Sequence, residues 1–370
     1  MYAPLRAPSG ALHTYTVEGP HMAWVTLRHT LSDVNAAGET LILPDIPEPK
    51  MDEAMSVINN WRAAHSFPLN TFKVTLRENA RQVDPNATTA QRLKRLSSID
   101  KKLREFKRLP RLRDLGLSDI QDIAGCRAIV QSVKAVDNLV ALYKESDLRH
   151  EIDDEDDYIR SPKKSGYRGV HVIYRYHSDK KQAYNGRKIE MQFRSVPQHI
   201  WATAVETVSA FTDQALKSSR GENDWLRFFK LMGTEIAIRE RTEPVPDTPT
   251  SRTDLKAELK ELVSRLGVEN RLQTYGAAAS TMARRPKARD SYFLMVLNAE
   301  TRTVKVTPYL QSELKKASRD YIKTEKDIKG RADIDAVLVS VESLNSLRRA
   351  YPNYFLDTNR FLSVVRRAVS

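Results

Sequence analysis

Cysteine is nearly absent: the 370-residue chain has one, Cys126. A disulfide framework is therefore excluded, as is any structural zinc site needing two or more thiolates, and such sparing use fits a reducing cytoplasm. Long apolar runs are missing as well. None approaches the roughly 18 residues of a membrane span, so an integral membrane protein is not expected. The N-terminus, MYAPLRAPSGALHTYTVEGP, has neither the basic start nor the apolar core of a secretory signal peptide. Internal repeats and low-complexity tracts are lacking too.

What is present is a globular composition, 41% hydrophobic and 29% charged, long enough for two or three domains. Lys and Arg outnumber Asp and Glu by 60 to 47, for a net charge of +13. An excess of this size suits a polyanion: nucleic acid, nucleotide phosphates or an anionic membrane face. A solvated basic surface is the plain alternative, and the distribution of charge decides.

Residues 1–50 show no strong helical period and end in LPDIPEPK, so they read as an extended leader, or as an extension upstream of a start at Met51. Helices are expected at MDEAMSVINNWRAAH, after Pro68, and across TTAQRLKRLSSIDKKLREFKRL, where Leu93, Leu96, Ile99, Leu103 and Phe106 recur every three or four positions. CRAIVQSV, GVHVIYRYH and KIEMQFRS are β-rich, with a helix at AVDNLVALYKES between the first two. Two long helices follow, over 196–218 and 223–241. Pro244, Pro246 and Pro249 mark a linker at 243–250. Beyond it Leu255, Leu259, Leu262 and Leu266 form a helical stripe, and a compact ββαβα pattern closes the chain. The expected class is α+β. A mixed sheet flanked by helices occupies 51–242, and a helix with a small ββαβα domain, lacking zinc, occupies 251–370.

The chemistry-bearing residues lie in the first of these units. Between Gln91 and Arg113 stand ten Lys or Arg residues and two acids. Lys94, Ser98 and Lys102 fall at i, i+4 and i+8 on one helix face, where two ammonium groups around a hydroxyl suit a polyphosphate. A wet helix face explains the same run. Asp122 precedes one β-run and Glu190 lies inside another, and carboxylates on neighbouring strands commonly hold Mg²⁺ against phosphates. A sheet with one solvated face is the alternative. Strand alternation puts Glu190, Gln192 and Arg194 on one side. SPKKSGYRGVH (161–171) reads as a glycine-containing loop entering a strand. It offers Lys163, Lys164 and Arg168 to phosphate and Tyr167 as a stacking platform for a base.

Together these stretches resemble the synthetase (nucleotidyltransferase-like) domain of the RelA/SpoT homologue family, whose members transfer pyrophosphate from ATP to a 3′-hydroxyl. Its signatures correspond here to Arg92-x-Lys94-x-x-x-Ser98-x-x-x-Lys102, to Asp122-Ile-Ala-Gly-Cys-Arg127, to Asp157-Tyr-Ile-x-x-Pro162-Lys163-x-x-Gly166-Tyr167-x-x-x-His171, and to Glu190-x-Gln192-x-Arg194. The resemblance covers roughly residues 51–240. It implies that Arg92 and Arg127 sandwich the adenine of ATP and that Lys94, Ser98 and Lys102 hold its phosphates. It further implies that Asp122 and Glu190 hold Mg²⁺, with Glu190 also a candidate base. Tyr167 would stack on the acceptor base, with Lys163, His171, Gln192 and Arg194 beside it. None of the eight histidines precedes an Asp, so the metal-dependent hydrolase of the long bifunctional relatives has no counterpart. QHIWATAVETVSAF (198–211) likewise departs from their His-x-x-x-Glu step toward the small single-domain members.

Two acceptors are open: GDP or GTP, giving (p)ppGpp, and the 3′-terminal adenosine of tRNA, whose blocking stops translation. The broad basic charge favours tRNA. A basic RNA-binding module on a degenerate synthetase fold is the non-enzymatic alternative, opposed by the presence of both acids and both arginines. The C-terminal unit resembles the zinc-finger-like domain of fused toxin–antitoxin members of the CapRel type. That likeness implies that Tyr351 and Tyr354 plug the ATP pocket until a phage protein, chiefly the major capsid protein, binds. The strand SYFLMVL is the expected docking edge for such a partner. The sequence specifies no oligomeric state.

Overall fold

Apolar and polar residues alternate in CRAIV and KIEMQF as they do in strands with one buried face. These segments form the middle of a five-stranded sheet. The computed structural model describes residues 24–145, 149–212, 221–273, 275, 292–298, 301, 303–328, 331, 334–340 and 354–370. Strands β1 (Thr88–Leu93), β2 (Ala124–Val130), β3 (Glu151–Asp157), β4 (Val170–Arg175) and β5 (Lys188–Ser195) lie in the order β1-β2-β5-β4-β3. β2 and β5 pair in parallel and the other neighbours antiparallel, so the sheet is mixed, as expected of this α+β chain. One face buries Cys126, Ala128, Val172, Met191 and Phe193 in a cluster that α3 (Ser66–Val83) and α5 (Val133–Glu145) complete with Leu76 and Leu139.

Three stretches differ from the sequence reading. Residues 31–42, within the expected extended leader, form helix α1 (Leu31–Ile42), started by a reciprocal Thr30–Asp33 capping box. α1 packs with α2 (Glu48–Ala63) and α4 (Leu96–Arg108) around Val34, Ile58, Trp61 and Leu103. Beside Val34 its buried residues are small, Ala37 and Gly38, and a Cβ on Gly38 would lie 2.8 Å from the Leu117 Cβ. Residues 88–93, read as the start of a helix, are strand β1, because Thr88 to Leu93 pair with Ile129 to Ala124. The helix begins at Leu96, so Lys94 precedes it and leaves the expected Lys94–Ser98–Lys102 face. Finally, EIDDEDD forms edge strand β3. An acidic run has no apolar alternation, and charge on an edge strand guards it against pairing with other chains.

Helices α6 (Val196–Thr212), α7 (Gly221–Glu240) and α8 (Arg252–Leu266) follow. The expected linker is pinned on α7: Val245 is buried and donates its N–H to Thr234 Oγ1 at 3.0 Å. Strands β6 (Tyr292–Asn298) and β7 (Thr303–Tyr309), helix α9 (Leu314–Asp327), strand β8 (Ile334–Ser340) and helix α10 (Tyr354–Val369) complete the order. The three strands form an antiparallel sheet, β7-β6-β8. SYFLMVL is therefore its central strand, paired on both sides, and cannot accept a partner strand as expected. α10 leaves this unit and joins α6, α7 and α8, where Phe361 and Val365 pack with Phe228, Leu259 and Leu262. Among the described residues, no helix is long and apolar enough to cross a membrane.

Candidate active site

Strand register gathers the charged residues on the face opposite the α3–α5 core. Arg92 on β1 faces Gly125 on β2, which faces Glu190 on β5, which faces Ile173 on β4. Two residues along, Ala90, Arg127, Gln192, His171 and Asp156 form the next row, and rows two residues apart point the same way. Gly125 keeps the floor between Arg92 and Glu190 flat: a Cβ there would stand 3.4 Å from Glu190 Oε2.

Two adjoining hollows open on this face. The smaller is lined by Arg92, Gly125, Arg127, Glu190 and Gln192. The larger, about 670 Å³, is lined by Lys102, Asp122, Lys163, Tyr167, His171, Glu190, Gln192 and Arg194, with Asp156, Tyr158 and Lys188 besides. Those last three had no role in the sequence reading. For Asp156 and Tyr158 the signal, their spacing of two, is hidden in a run of acids, whereas Lys188 stands two residues before Glu190 on the same strand. Glu190 and Gln192 line both hollows.

Around Glu190 the side chains close a ring of hydrogen bonds. His171 Nδ1 lies 2.9 Å from Glu190 Oε1, and His171 Nε2 lies 2.5 Å from Tyr167 Oη. Arg194 donates to that hydroxyl oxygen through Nε at 3.1 Å and Nη2 at 2.7 Å, and through Nη2 to Gln192 Oε1 at 3.0 Å. Gln192 Nε2 donates back to Glu190 Oε2 at 2.7 Å. Burial alone raises the Glu190 pKa, but the His171 contact, the Gln192 amide and the Arg92 charge overcome it and hold the carboxyl at about 2. Asp122, at the entrance to β2, accepts from Lys94 Nζ at 2.5 Å.

The loop before β4 is shaped by glycine. Gly166 has φ +92°, and a Cβ there would come within 2.9 Å of the Phe229 carbonyl on α7. Lys163 sits 4.0 Å above the Tyr158 ring, and burial lowers its pKa. Tyr158 donates to Asp156 at 2.5 Å. Arg168, expected to face phosphate, is instead buried; it donates to the Ile159 and Glu243 carbonyls and to Thr242 Oγ1, tying the loop to the chain after α7. Ser98 lies in the first turn of α4 and lines neither hollow. Tyr351 lies outside the described residues, and Tyr354 opens α10 with its side chain outside them. One contact had no sequence signal. His199 Nε2 on α6 lies 3.3 Å from Asp357 Oδ2 on α10, both side chains buried, and burial lowers the His199 pKa, with Arg127 and Arg194 near enough to add to this.

Carboxylate oxygen is the donor type that Mg²⁺ takes. Asp122 and Glu190 sit at adjacent strands and line one cavity. Among the described residues no group of three or more His, Cys, Asp or Glu forms a metal cluster. Mg²⁺ commonly takes only one or two protein carboxylates and completes its shell with water and substrate phosphates.

Residues 91–214 match the family model described as "Region found in RelA / SpoT proteins". The GTP pyrophosphokinase YwaC of Bacillus subtilis (strain 168) is 27% identical over 169 residues, which are 43% of this chain and 79% of that protein. Similar solved structures include a GTP pyrophosphokinase family protein from Streptococcus pneumoniae, 23% identical with a TM-score of 0.40 over 49% of this chain and 89% of the other. The small alarmone synthetase 1 from Bacillus subtilis, bound to its product pppGpp, has the same identity and TM-score over 49% and 91%. Part of the chain is thus similar to a region found in RelA and SpoT proteins and to a GTP pyrophosphokinase.

Proposed function

We propose that this chain transfers the pyrophosphate of ATP to a 3′-hydroxyl, and that its acceptor is the 3′-terminal adenosine of tRNA. The observation that carries the reaction is the single sheet face on which Arg92 and Arg127 adjoin the Glu190 ring and the Lys94–Asp122 pair. Arg92 and Arg127 are diagonal neighbours on the antiparallel β1–β2 pair. Such neighbours stand about 7–8 Å apart, room for a flat ring between two guanidinium groups. Lys94, Lys102 and the uncapped N-terminus of α4 at Ser98 offer donors to phosphates. The acceptor base stacks on Tyr167, with Lys163 beside it. The acceptor oxygen forms a bond to the β-phosphorus, the bond from that phosphorus to the α,β-bridging oxygen breaks, and AMP leaves with that oxygen. The hydroxyl proton passes to the Glu190 carboxylate. Displacement of this kind needs charge neutralisation and positioning more than covalent chemistry. Asp122 and Glu190 would hold Mg²⁺, which when bound neutralises phosphate charge.

The tRNA reading rests on the surface beyond the cavity. From Lys102 in the cavity wall the basic run continues through exposed Arg104, Arg108, Arg111 and Arg113. A nucleotide uses a handful of cations, whereas tRNA gains affinity from counterion release over a broad face. GDP or GTP is the second reading, favoured by the similarity to a GTP pyrophosphokinase. The C-terminal unit is the regulator in this proposal, with Tyr351 and Tyr354 at the ATP hollow until a phage capsid protein binds. In support, Tyr354 precedes by three residues the Asp357 that pairs with His199 beside Arg127.

The test offers γ-labelled ATP, Mg²⁺, GDP and deacylated tRNA together to the full chain and to its Tyr351→Ala/Tyr354→Ala variant. Label on tRNA, stronger in the variant, is expected. Label on the guanine nucleotide establishes the second reading, and label on neither refutes both.

A further inference from the structure

Arg168 stands where the sequence points to a phosphate ligand, yet it lines neither hollow and is 2% exposed. A buried cation has to be compensated, and the carboxylates of Glu240, Asp157 and Glu243 lie near enough to attract it. Its hydrogen bonds reach out of the loop. Nη2 donates to the Ile159 carbonyl and to Thr242 Oγ1, and Nη1 to the Glu243 carbonyl, each at 2.7 Å. One partner belongs to the loop between β3 and β4, and two belong to the chain that leaves α7. Backbone bonds close the loop on itself: Tyr158 donates to the Gly169 carbonyl at 3.0 Å, Ser161 to the Asp157 carbonyl at 2.9 Å and Gly166 to the Lys163 carbonyl at 2.8 Å. These bonds shape the loop, and the guanidinium joins it to the end of α7. Tyr167 therefore sits between two fastenings. On one side Gly166 rests in a notch on α7, where a Cβ on Gly233 would lie 2.7 Å from the Gly166 carbonyl oxygen, leaving no room for a side chain on either residue. On the other side stands Arg168. At the far end of the ring, the Tyr167 hydroxyl meets His171 and Arg194.

We propose that Arg168 is a positioning residue for the acceptor: by fastening the loop to Thr242 and Glu243 it holds Tyr167 where a base can stack, without touching either substrate. The kinetic consequence rests on the proposed reaction, in which Tyr167 is the stacking platform, whereas the fastening does not. A lysine keeps the charge but presents one nitrogen in place of the fork, so it cannot hold partners on both sides of the guanidinium. Acceptor binding should therefore weaken when the fork is lost. ATP, whose proposed contacts lie on β1, β2 and α4, should bind as before.

The test compares the full chain with Arg168→Lys and with Thr242→Val, which removes one partner of the guanidinium and leaves the loop sequence intact. Thr242→Ser, which keeps the hydroxyl, is the control. Pyrophosphate transfer from ATP is followed with deacylated tRNA and with GDP. Arg168→Lys is expected to raise the acceptor KM about 10- to 100-fold and Thr242→Val about 3- to 10-fold, with KM for ATP unchanged and Thr242→Ser like wild type. An acceptor KM unchanged in both variants, or an equal rise in both KM values, overturns the proposal. Hydrogen exchange supplies a readout that needs no activity. Amides of residues 158–169 are expected to exchange about 10-fold faster in Arg168→Lys and Thr242→Val, while those of β5 keep the wild-type rate. Unchanged exchange in the loop overturns the proposal, as does an acceleration spread equally over β5, which marks a general loss of stability. If Arg168→Lys fails to fold, Thr242→Val decides by the same two readouts. A wild-type chain that transfers nothing to any acceptor refutes the proposed function, while the exchange rates still decide the fastening.

Discussion

Replacing Phe361 with alanine tests whether the last helix is part of the catalytic body. Phe361 has no exposed surface, and its ring lies 6.2 Å from that of Phe228 and 6.0 Å from that of Phe229. Truncating a buried Phe to Ala costs about 3–5 kcal/mol, through lost transfer energy and the cavity left behind. The high end applies here if the helices cannot collapse, and three aromatic rings in contact resist collapse. The damage has a route to the site. The Phe229 carbonyl accepts the Trp201 indole N–H at 2.9 Å, and the Trp201 ring stands 6.3 Å from Tyr167. Urea unfolding of Phe361→Ala is expected to show the full loss, with a raised acceptor KM in whatever remains folded. Asn359→Ala, on the exposed side of the same helix, is the control and stays within about 0.5 kcal/mol. A Phe361→Ala loss below about 1 kcal/mol would refute the packing of α10 on α6 and α7. A chain cut after Thr248 should accordingly be unstable rather than freed, since it loses both α8 and α10 from this cluster.

Acid stability should report His65, which is buried, donates Nδ1–H to the Trp61 carbonyl at 2.8 Å, and is pushed by burial from 6.5 to about 3. The folded state keeps it neutral while the unfolded chain takes the proton, so stability falls as pH drops from 6.5 toward 3, by about 2 kcal/mol at pH 5; His65→Asn should flatten that slope in urea titrations. Glu190→Gln and Asp122→Asn should each lower pyrophosphate transfer by about 100-fold or more, while tRNA binding measured by filter retention is preserved. Lost binding together with lost activity would mean a misfolded site. Gly166→Ala places a Cβ against the Phe229 carbonyl at positive φ and should cost at least about 1 kcal/mol in thermal unfolding and raise the acceptor KM; a neutral result would mean that the loop does not lie on α7 as described.

What the sequence made legible was local. KIEMQFRS became β5 over the same eight residues because its alternation has one solution. The same period of two placed Glu190, Gln192 and Arg194 side by side before any strand order was known. The mixed sheet followed from three β-rich runs separated by a helix. Stretches without a local signal were lost. α1 lies in a stretch read as extended and buries only Val34, Ala37 and Gly38, β1 is held by its pairing to β2 against a helical pattern, and β3 is built of acids. Arg168 shows the other kind of loss. A basic residue beside a glycine reads as a phosphate ligand, and only the fold shows that its donors go to residues 159, 242 and 243.

The order of the strands turns those local patterns into a site. β2 and β5 are neighbours although 57 residues separate Val130 from Lys188, and their parallel register sets Gly125 opposite Glu190 and Arg127 opposite Gln192. Without it, Arg92 and Arg127 would be a basic pair on a hairpin-like edge, and Glu190 a solvated acid on another strand. With it, Arg92, Arg127 and Glu190 share two adjacent rows, and the antiparallel β4 brings His171 into the second of them. The ring of hydrogen bonds around Glu190 is the finest level of this construction. It requires β5 for Gln192 and Arg194, β4 for His171, and the glycine-hinged loop for Tyr167. Any one of these displaced by a residue would turn its side chain to the other face and open the ring, so the ring around Glu190 depends on the register of the sheet as directly as it does on the residues themselves.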